Sequence, residues 1–149
     1  MSTADPSLLK LLVQVTHAFE QELNRELRGE LDESLRPAHY AVFRHLDPNG
    51  SRVTALAESA GMTQQSMGEL VTHLEKCGYV ERRVDAEDRR ARLVIATESG
   101  RAALAFAGRR ITAIEDGLRA ELGEDGVAEL RRLLSRSQLA LAQRIADTA

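Results

Sequence analysis

Thr63, Gln64, Gln65, Ser66, Gly68, Glu69, Thr72 and His73 fall within one short segment whose other residues are apolar. Glutamine can pair bidentately with adenine, and a glutamate can accept from the N4 amine of cytosine, so Gln64, Gln65 and Glu69 suit the reading of base edges. Thr63 and the N–H groups of a helix starting beside it suit a phosphate oxygen, and Thr72 and His73 suit contacts to a sugar-phosphate backbone. A second group follows at Asp85, Asp88, Arg89, Arg90 and Arg92. Adjacent arginines in a polar loop can enter a narrow minor groove or clamp phosphates. The two aspartates would repel a polyanion, so they are expected to hold Arg89 and Arg90 by charge-assisted hydrogen bonds. No nucleophile and base are set together by a motif, and there is no phosphate-cradling glycine loop or paired-carboxylate motif, so the sequence does not read as an enzyme.

The elements around these groups give them a direction. Leu8, Leu12, Val15, Phe19 and Leu23 form one apolar stripe of helical period, which predicts a first helix from about Pro6 to Arg28. Pro37 suits the first position of a second helix, which carries Tyr40, Phe43 and Leu46 inward and stops at the turn Asp47-Pro48-Asn49-Gly50. After an extended stretch at Ser51 to Val53, Thr54 is placed to cap a third helix that Gly61 ends, and Thr63 to cap a fourth that runs to about Cys77. Two short helices joined by Gly61-Met62-Thr63 make a helix-turn-helix. Met67, Leu70, Val71 and Leu74 are its inward face, which turns the polar residues outward. Extended runs at Tyr79 to Val84 and Arg92 to Thr97 then predict a hairpin with arginines at its tip. From Glu98 the helical period returns as two long helices, broken near Gly123 to Gly126.

A helix fits the major groove of duplex DNA while a thin hairpin reaches the neighbouring minor groove, so this order of elements has a physical logic on DNA. Total charge does not announce it. The 149 residues carry a net charge of −3, but Arg82, Arg83, Arg89, Arg90 and Arg92 concentrate positive charge in one segment, whereas residues 20–33 are acidic. Hydrophobic residues make up 43% of the chain and aromatics only 3%, which suits a mainly helical protein. The single cysteine, Cys77, excludes an intramolecular disulfide and fits a reducing compartment, expected to be the cytoplasm. No secretory leader and no apolar run long enough to span a bilayer is read, so no membrane partner is expected. The apolar stripes of the terminal helices need a partner. A second copy of the chain is expected, the alternative being that they fold back on their own domain.

From Leu35 to Gly100 the chain resembles the MarR family. The resemblance rests on Pro37-Ala38-His39-Tyr40-Ala41-Val42-Phe43-Arg44-His45-Leu46, on Leu56-Ala57-Glu58, and on Leu70-Val71-Thr72-His73-Leu74-Glu75-Lys76-Cys77-Gly78-Tyr79-Val80-Glu81-Arg82. It is closest at Asp85-Ala86-Glu87-Asp88-Arg89-Arg90 and continues through Ala96-Thr97-Glu98-Ser99-Gly100. It implies a winged helix-turn-helix of about six helices and a two-stranded wing. Residues 36–97 would form the DNA-binding region, and residues 1–35 and 98–149 the dimerisation helices of a homodimer. It further implies a transcriptional regulator on a pseudo-palindromic operator, commonly a repressor released by a small ligand. The alternative is a winged-helix module for protein contacts. His17, His39, Tyr40 and Arg44 are candidates for a ligand pocket, and no cofactor or metal is expected, although His17, His39 and His45 can approach one another. Cys77 reads as a small packing residue rather than an oxidant sensor. The family often has Ser or Thr followed by Arg where this chain has Gly68 and Glu69, which removes a cation from the reading face.

Overall fold

The computed structural model describes residues 5–148. In order, the elements are α1 (Leu8–Leu27), α2 (Pro37–His45), α3 (Val53–Ala60), α4 (Gln64–Lys76), β1 (Val80–Val84), β2 (Arg92–Ala96) and α5 (Glu98–Thr148). Their starts follow local chemistry. Ser7 caps α1 by accepting from the Lys10 N–H at 3.1 Å, and Pro37 opens α2 as expected. Arg36, ahead of it, is held by His39, whose Nδ1 accepts the Arg36 N–H at 2.8 Å. Helix α3 begins at Val53, with Arg52 at the cap, rather than after Thr54. Gly61 ends it in the left-handed conformation (φ 67°), where a side chain would be strained. Thr63 caps α4 through Oγ1, which accepts from Ser66 N–H at 3.1 Å.

Strands β1 and β2 pair antiparallel, from Val80 opposite Ala96 to Val84 opposite Arg92. Ser51 adds a short third rung by exchanging two backbone hydrogen bonds with Val94, at 3.0 and 2.8 Å. The loop before α3 is thereby tied to the second wing strand.

Backbone contacts divide the chain into Met1–Arg110 and Ile111–Ala149. The first unit holds the main core, in which Leu27, Val42, Leu56, Met67, Val71, Leu74, Val80 and Val94 are fully buried. Burying each such side chain is worth about 1.5–3 kcal/mol, so the inward face of α4 is what fixes its outward face. In the second unit α5 is not continuous. Gly123 has non-helical dihedrals (φ 79°, ψ 163°), and Arg131 on one side pairs with Glu115 on the other. Those residues would stand about 24 Å apart along an unbroken helix, so the chain turns at Gly123. The two expected C-terminal helices thus lie on either side of the break at Gly123, with no loop between them, within the single span α5. Positions 1–4 and 149 of the expected dimerisation segments lie outside the described residues.

Candidate nucleic-acid interface

On α4 the buried residues Met67, Val71 and Leu74 turn Gln64, Gln65, Ser66, Glu69 and Thr72 to solvent beside Thr63. The first N–H groups of the helix have no acceptor in their own helix, so the end beside Gln64 and Gln65 presents donors and the positive end of the dipole. Gly68 and His73 are half-buried at the edge of this face.

His73 is committed to a second partner. Its Nε2 lies 2.7 Å from Ser34 Oγ, which donates in turn to Asp32 Oδ1 at 2.6 Å. A hydroxyl has one proton, so the order is imidazole N–H to Ser34 to carboxylate. Ser34 holds the Asp32 carboxyl below its ordinary range with both its hydroxyl and its backbone N–H. The His39 ring stacks obliquely on His73 at 4.7 Å. Cys77 Sγ is 3.6 Å from His73 Nε2, and burial pushes its thiol up, away from the thiolate an oxidant sensor needs.

The wing is anchored from α3's entrance. Arg52 donates to Asp85 Oδ2 at 2.8 Å, and Asp85 Oδ1 accepts the Glu87 N–H at 2.9 Å. The Arg52 guanidinium first, and the Glu87 N–H next, hold the Asp85 carboxyl below its ordinary range. This corrects the expectation for Asp85, which fastens the wing to the helix-turn-helix instead of holding Arg89 or Arg90. The reason is reach: the Ser51–Val94 rung brings Arg52 to the base of the wing. Asp88 does hold Arg90, accepting its backbone N–H at 3.1 Å and its Nε at 3.3 Å. Arg90 remains 93% exposed at its side chain, and Arg89 and Arg92 are exposed as well.

Three contributors were missed in the sequence: Arg52, Ser34 and Arg82. Arg82, on β1, lies over α4 with Nη1 2.7 Å from Glu75 Oε1 and Nη2 near Thr72 Oγ1 (3.3 Å) and the Gly68 carbonyl (3.5 Å). Its position within the run Arg82-Arg83 was the only available signal. The cleft that Tyr40 lines does not gather the other three pocket candidates. Tyr40 lines a cleft of about 20 Å³ with Asn24, Arg28, Asp32 and Arg36, whereas His39 turns to His73. His17 and Arg44 are exposed and do not line that cleft.

A helix-turn-helix packed on a common core, with an anchored two-stranded wing beside its second helix, defines the winged helix-turn-helix class. The MarR family profile matches residues 34–91. Transcriptional regulator HosA of Escherichia coli O127:H6 (strain E2348/69 / EPEC) is 35% identical over 99 residues, which is 66% of this chain and 72% of HosA. The chain belongs to the MarR family. The crystal structure of MarR is similar in fold, with a TM-score of 0.79 at 24% identity over 100% of this chain and 99% of MarR. The transcriptional repressor CouR bound to a 23-mer DNA duplex has a TM-score of 0.75 at 25% identity, covering 89% of this chain and 92% of CouR. CouR from Rhodococcus jostii RHA1 bound to p-coumaroyl-CoA has a TM-score of 0.73 at 27% identity, covering 89% and 93%. Among the described residues no helix is long and apolar enough to cross a membrane.

Proposed function

We propose that this protein is a sequence-specific double-stranded DNA-binding transcriptional regulator that acts as a homodimer and represses until a small ligand releases it. The observation that carries the reading is the solvent-facing row Gln64, Gln65, Glu69 and Thr72 beside a wing whose base is pinned by Arg52 and Asp85 while Arg89, Arg90 and Arg92 stay exposed. In this reading α4 enters the major groove, with Thr63, Gln64, Gln65, Ser66, Gly68, Glu69, Thr72 and His73 as its contact residues, and Arg89 and Arg90 reach the minor groove. CouR, bound to a duplex, supports it.

The dimer is supported by apolar surface that the chain leaves uncovered. On α1, Leu8 is 79% exposed and Leu9, Leu12 and Val15 are exposed with it; in the second unit Leu139 and Ile145 stand open. Patches of this kind mark association surfaces. Residues 1–35 and 98–149 are assigned to dimerisation and 36–97 to DNA binding. The p-coumaroyl-CoA complex of CouR supports an effector here. In this reading Tyr40 packs against the compound, while Arg28 and Arg36 share the cleft with the carboxylates of Asp32 and Glu33; because the cleft has room for about one water, binding would have to open it. His17, His39 and Arg44 are retained as its outer candidates.

The test is selection from a random duplex pool by purified protein, repeated with Arg90→Ala and Gln65→Ala. An inverted repeat is expected, with Arg90→Ala weakening all sequences evenly and lowering the salt slope by about 1 for each wing engaged, and Gln65→Ala changing base preference. No enrichment at moderate salt by folded, dimeric protein would instead favour a protein-contact module.

A further inference from the structure

Helix α4 carries no lysine or arginine from Gln64 to Glu75, so its reading face has no cation of its own before Lys76. The structure brings one from the neighbouring strand. Arg82 crosses from β1 onto α4, and its three acceptors, Gly68, Thr72 and Glu75, are spaced four and three residues apart, one row along the helix. Beside it is a groove of about 440 Å³ lined by Gly68, Glu69, Thr72, His73, Lys76 and Arg82. Four of these six, Gly68, Glu69, Thr72 and His73, belong to the polar segment that the sequence offers to DNA.

Gly68 explains the opening. Its φ is not positive, and a Cβ built there would meet nothing within 4 Å, so neither backbone strain nor packing in this chain requires glycine. The lost helix propensity therefore gives the fold nothing in return. What glycine does is leave the helix surface bare where Arg82 approaches, so that no side chain stands between the guanidinium and whatever enters the groove.

Resting on the DNA-binding reading above, we propose that Arg82 is a specificity-determining residue, supplying from the wing strand the bidentate cation that reads a guanine beside the recognition helix. A guanidinium carries five donors in a planar fork, which matches O6 and N7 of guanine. Only the Nη1 bond to Glu75 is short; those from Nη2 to Thr72 and Gly68, at 3.3 and 3.5 Å, hold that nitrogen loosely, and the side chain keeps 22% of its surface exposed. Glu75 orients the plane and balances the charge until DNA supplies acceptors.

The experiment is duplex selection by the full-length protein and by Arg82→Lys, Arg82→Gln and Glu75→Gln, each first shown to be folded by thermal melting. The parent protein is expected to prefer guanine at one position of each half-site. Both Arg82 variants lose that preference alone, with binding to the parent's best sequence weakened about 5- to 150-fold for each half-site. Glu75→Gln breaks the ion pair but keeps the guanidinium, and so keeps the guanine. Unchanged base preference in both Arg82 variants would overturn the proposal while the DNA-binding reading stands. So would loss of the guanine in Glu75→Gln, since Arg82 would then act only by bracing the helix. Complete loss of enrichment by both folded Arg82 variants would overturn it too, because the other base contacts of each half-site would remain to select sequence. No enrichment by the parent protein would overturn the DNA-binding reading itself, and this inference with it.

Discussion

Nε2 of His73 stands 2.7 Å from Oγ of Ser34, and this contact joins α4 to the loop that follows α1. The same loop is tied a second time, because the Asp32 N–H donates to the Tyr79 hydroxyl at 2.9 Å. Two hydrogen bonds therefore set the far end of α4 against the α1–α2 connection, away from the end that carries Gln64 and Gln65.

Ser34→Ala removes the middle of the chain from His73 to Asp32 and leaves the imidazole N–H without its acceptor. A hydrogen bond of this kind contributes about 0.5–1.5 kcal/mol, and its partial exposure places it at the lower end. The expected result is a small loss of stability in urea unfolding with an unchanged denaturant slope. Equal midpoints for the two proteins would show that the tether does not stabilise the fold.

His39 makes stability depend on pH near neutrality. Burial first, and the neighbouring His73 next, hold its pKa below the ordinary histidine value, and Nδ1 is occupied by the Arg36 N–H, so a proton there would break the α2 cap. The groups around the pair are Arg36 on the cap, His73 on α4, and Ser34, Asp32 and Cys77 about His73. Below about pH 6.5 the unfolded chain takes up a proton that the native chain resists. Stability therefore falls as pH falls from that value through the native one. In His39→Gln the glutamine can keep the cap and cannot titrate, so its melting temperature should change less between pH 8 and pH 5. Parallel pH profiles for the two proteins would exclude His39 as the source.

The Arg52–Asp85 pair titrates at the acid end. Asp85 is depressed in the native state, so the stability it contributes is complete above its unfolded value of about 3.9 and is lost as pH falls through the native one. The deficit of Asp85→Asn relative to the parent protein should be flat above about pH 5 and shrink below pH 4, as read by thermal melting. Arg52→Ala should loosen the wing and weaken DNA binding although Arg52 lies outside the wing. Unchanged affinity in that variant would mean that the wing needs no anchor.

Much of this arrangement is legible in the sequence because it is local. The caps at Thr63 and Pro37, the end at Gly61 and the inward face Met67, Val71 and Leu74 each depend on residues within a turn or two. The contacts that tune the site are not local. Arg52 and Asp85 are 33 residues apart, Ser34 and His73 39, and Arg82 and Gly68 14. Periodicity places a residue on a face but does not say which distant side chain arrives there. This is why the sequence offers Asp85 only the arginines next to it, and does not show that Arg82 comes to lie beside Gly68.

Gly68 and Gly100 should respond oppositely to alanine, and the comparison tests the packing directly. At Gly68 the added methyl meets nothing within 4 Å, so helix propensity alone acts and Gly68→Ala should be more stable by about 1 kcal/mol. At Gly100 the same methyl would sit 1.9 Å from the Tyr79 carbonyl oxygen and 2.9 Å from its carbon. That carbonyl cannot move aside cheaply, because it accepts the Thr97 N–H at 3.0 Å while the Thr97 hydroxyl donates to Gly78 O at 2.6 Å and accepts from Gly100 N–H at 3.0 Å. The start of α5 and the entry to β1 are locked together at this point, with Gly100 as the only residue type that fits between them. Gly100→Ala is expected to cost at least the upper end of the roughly 1–3 kcal/mol typical of overpacking. Thermal unfolding of the two variants side by side decides it: a stable Gly100→Ala protein would mean that α5 can lift from Tyr79 without loss.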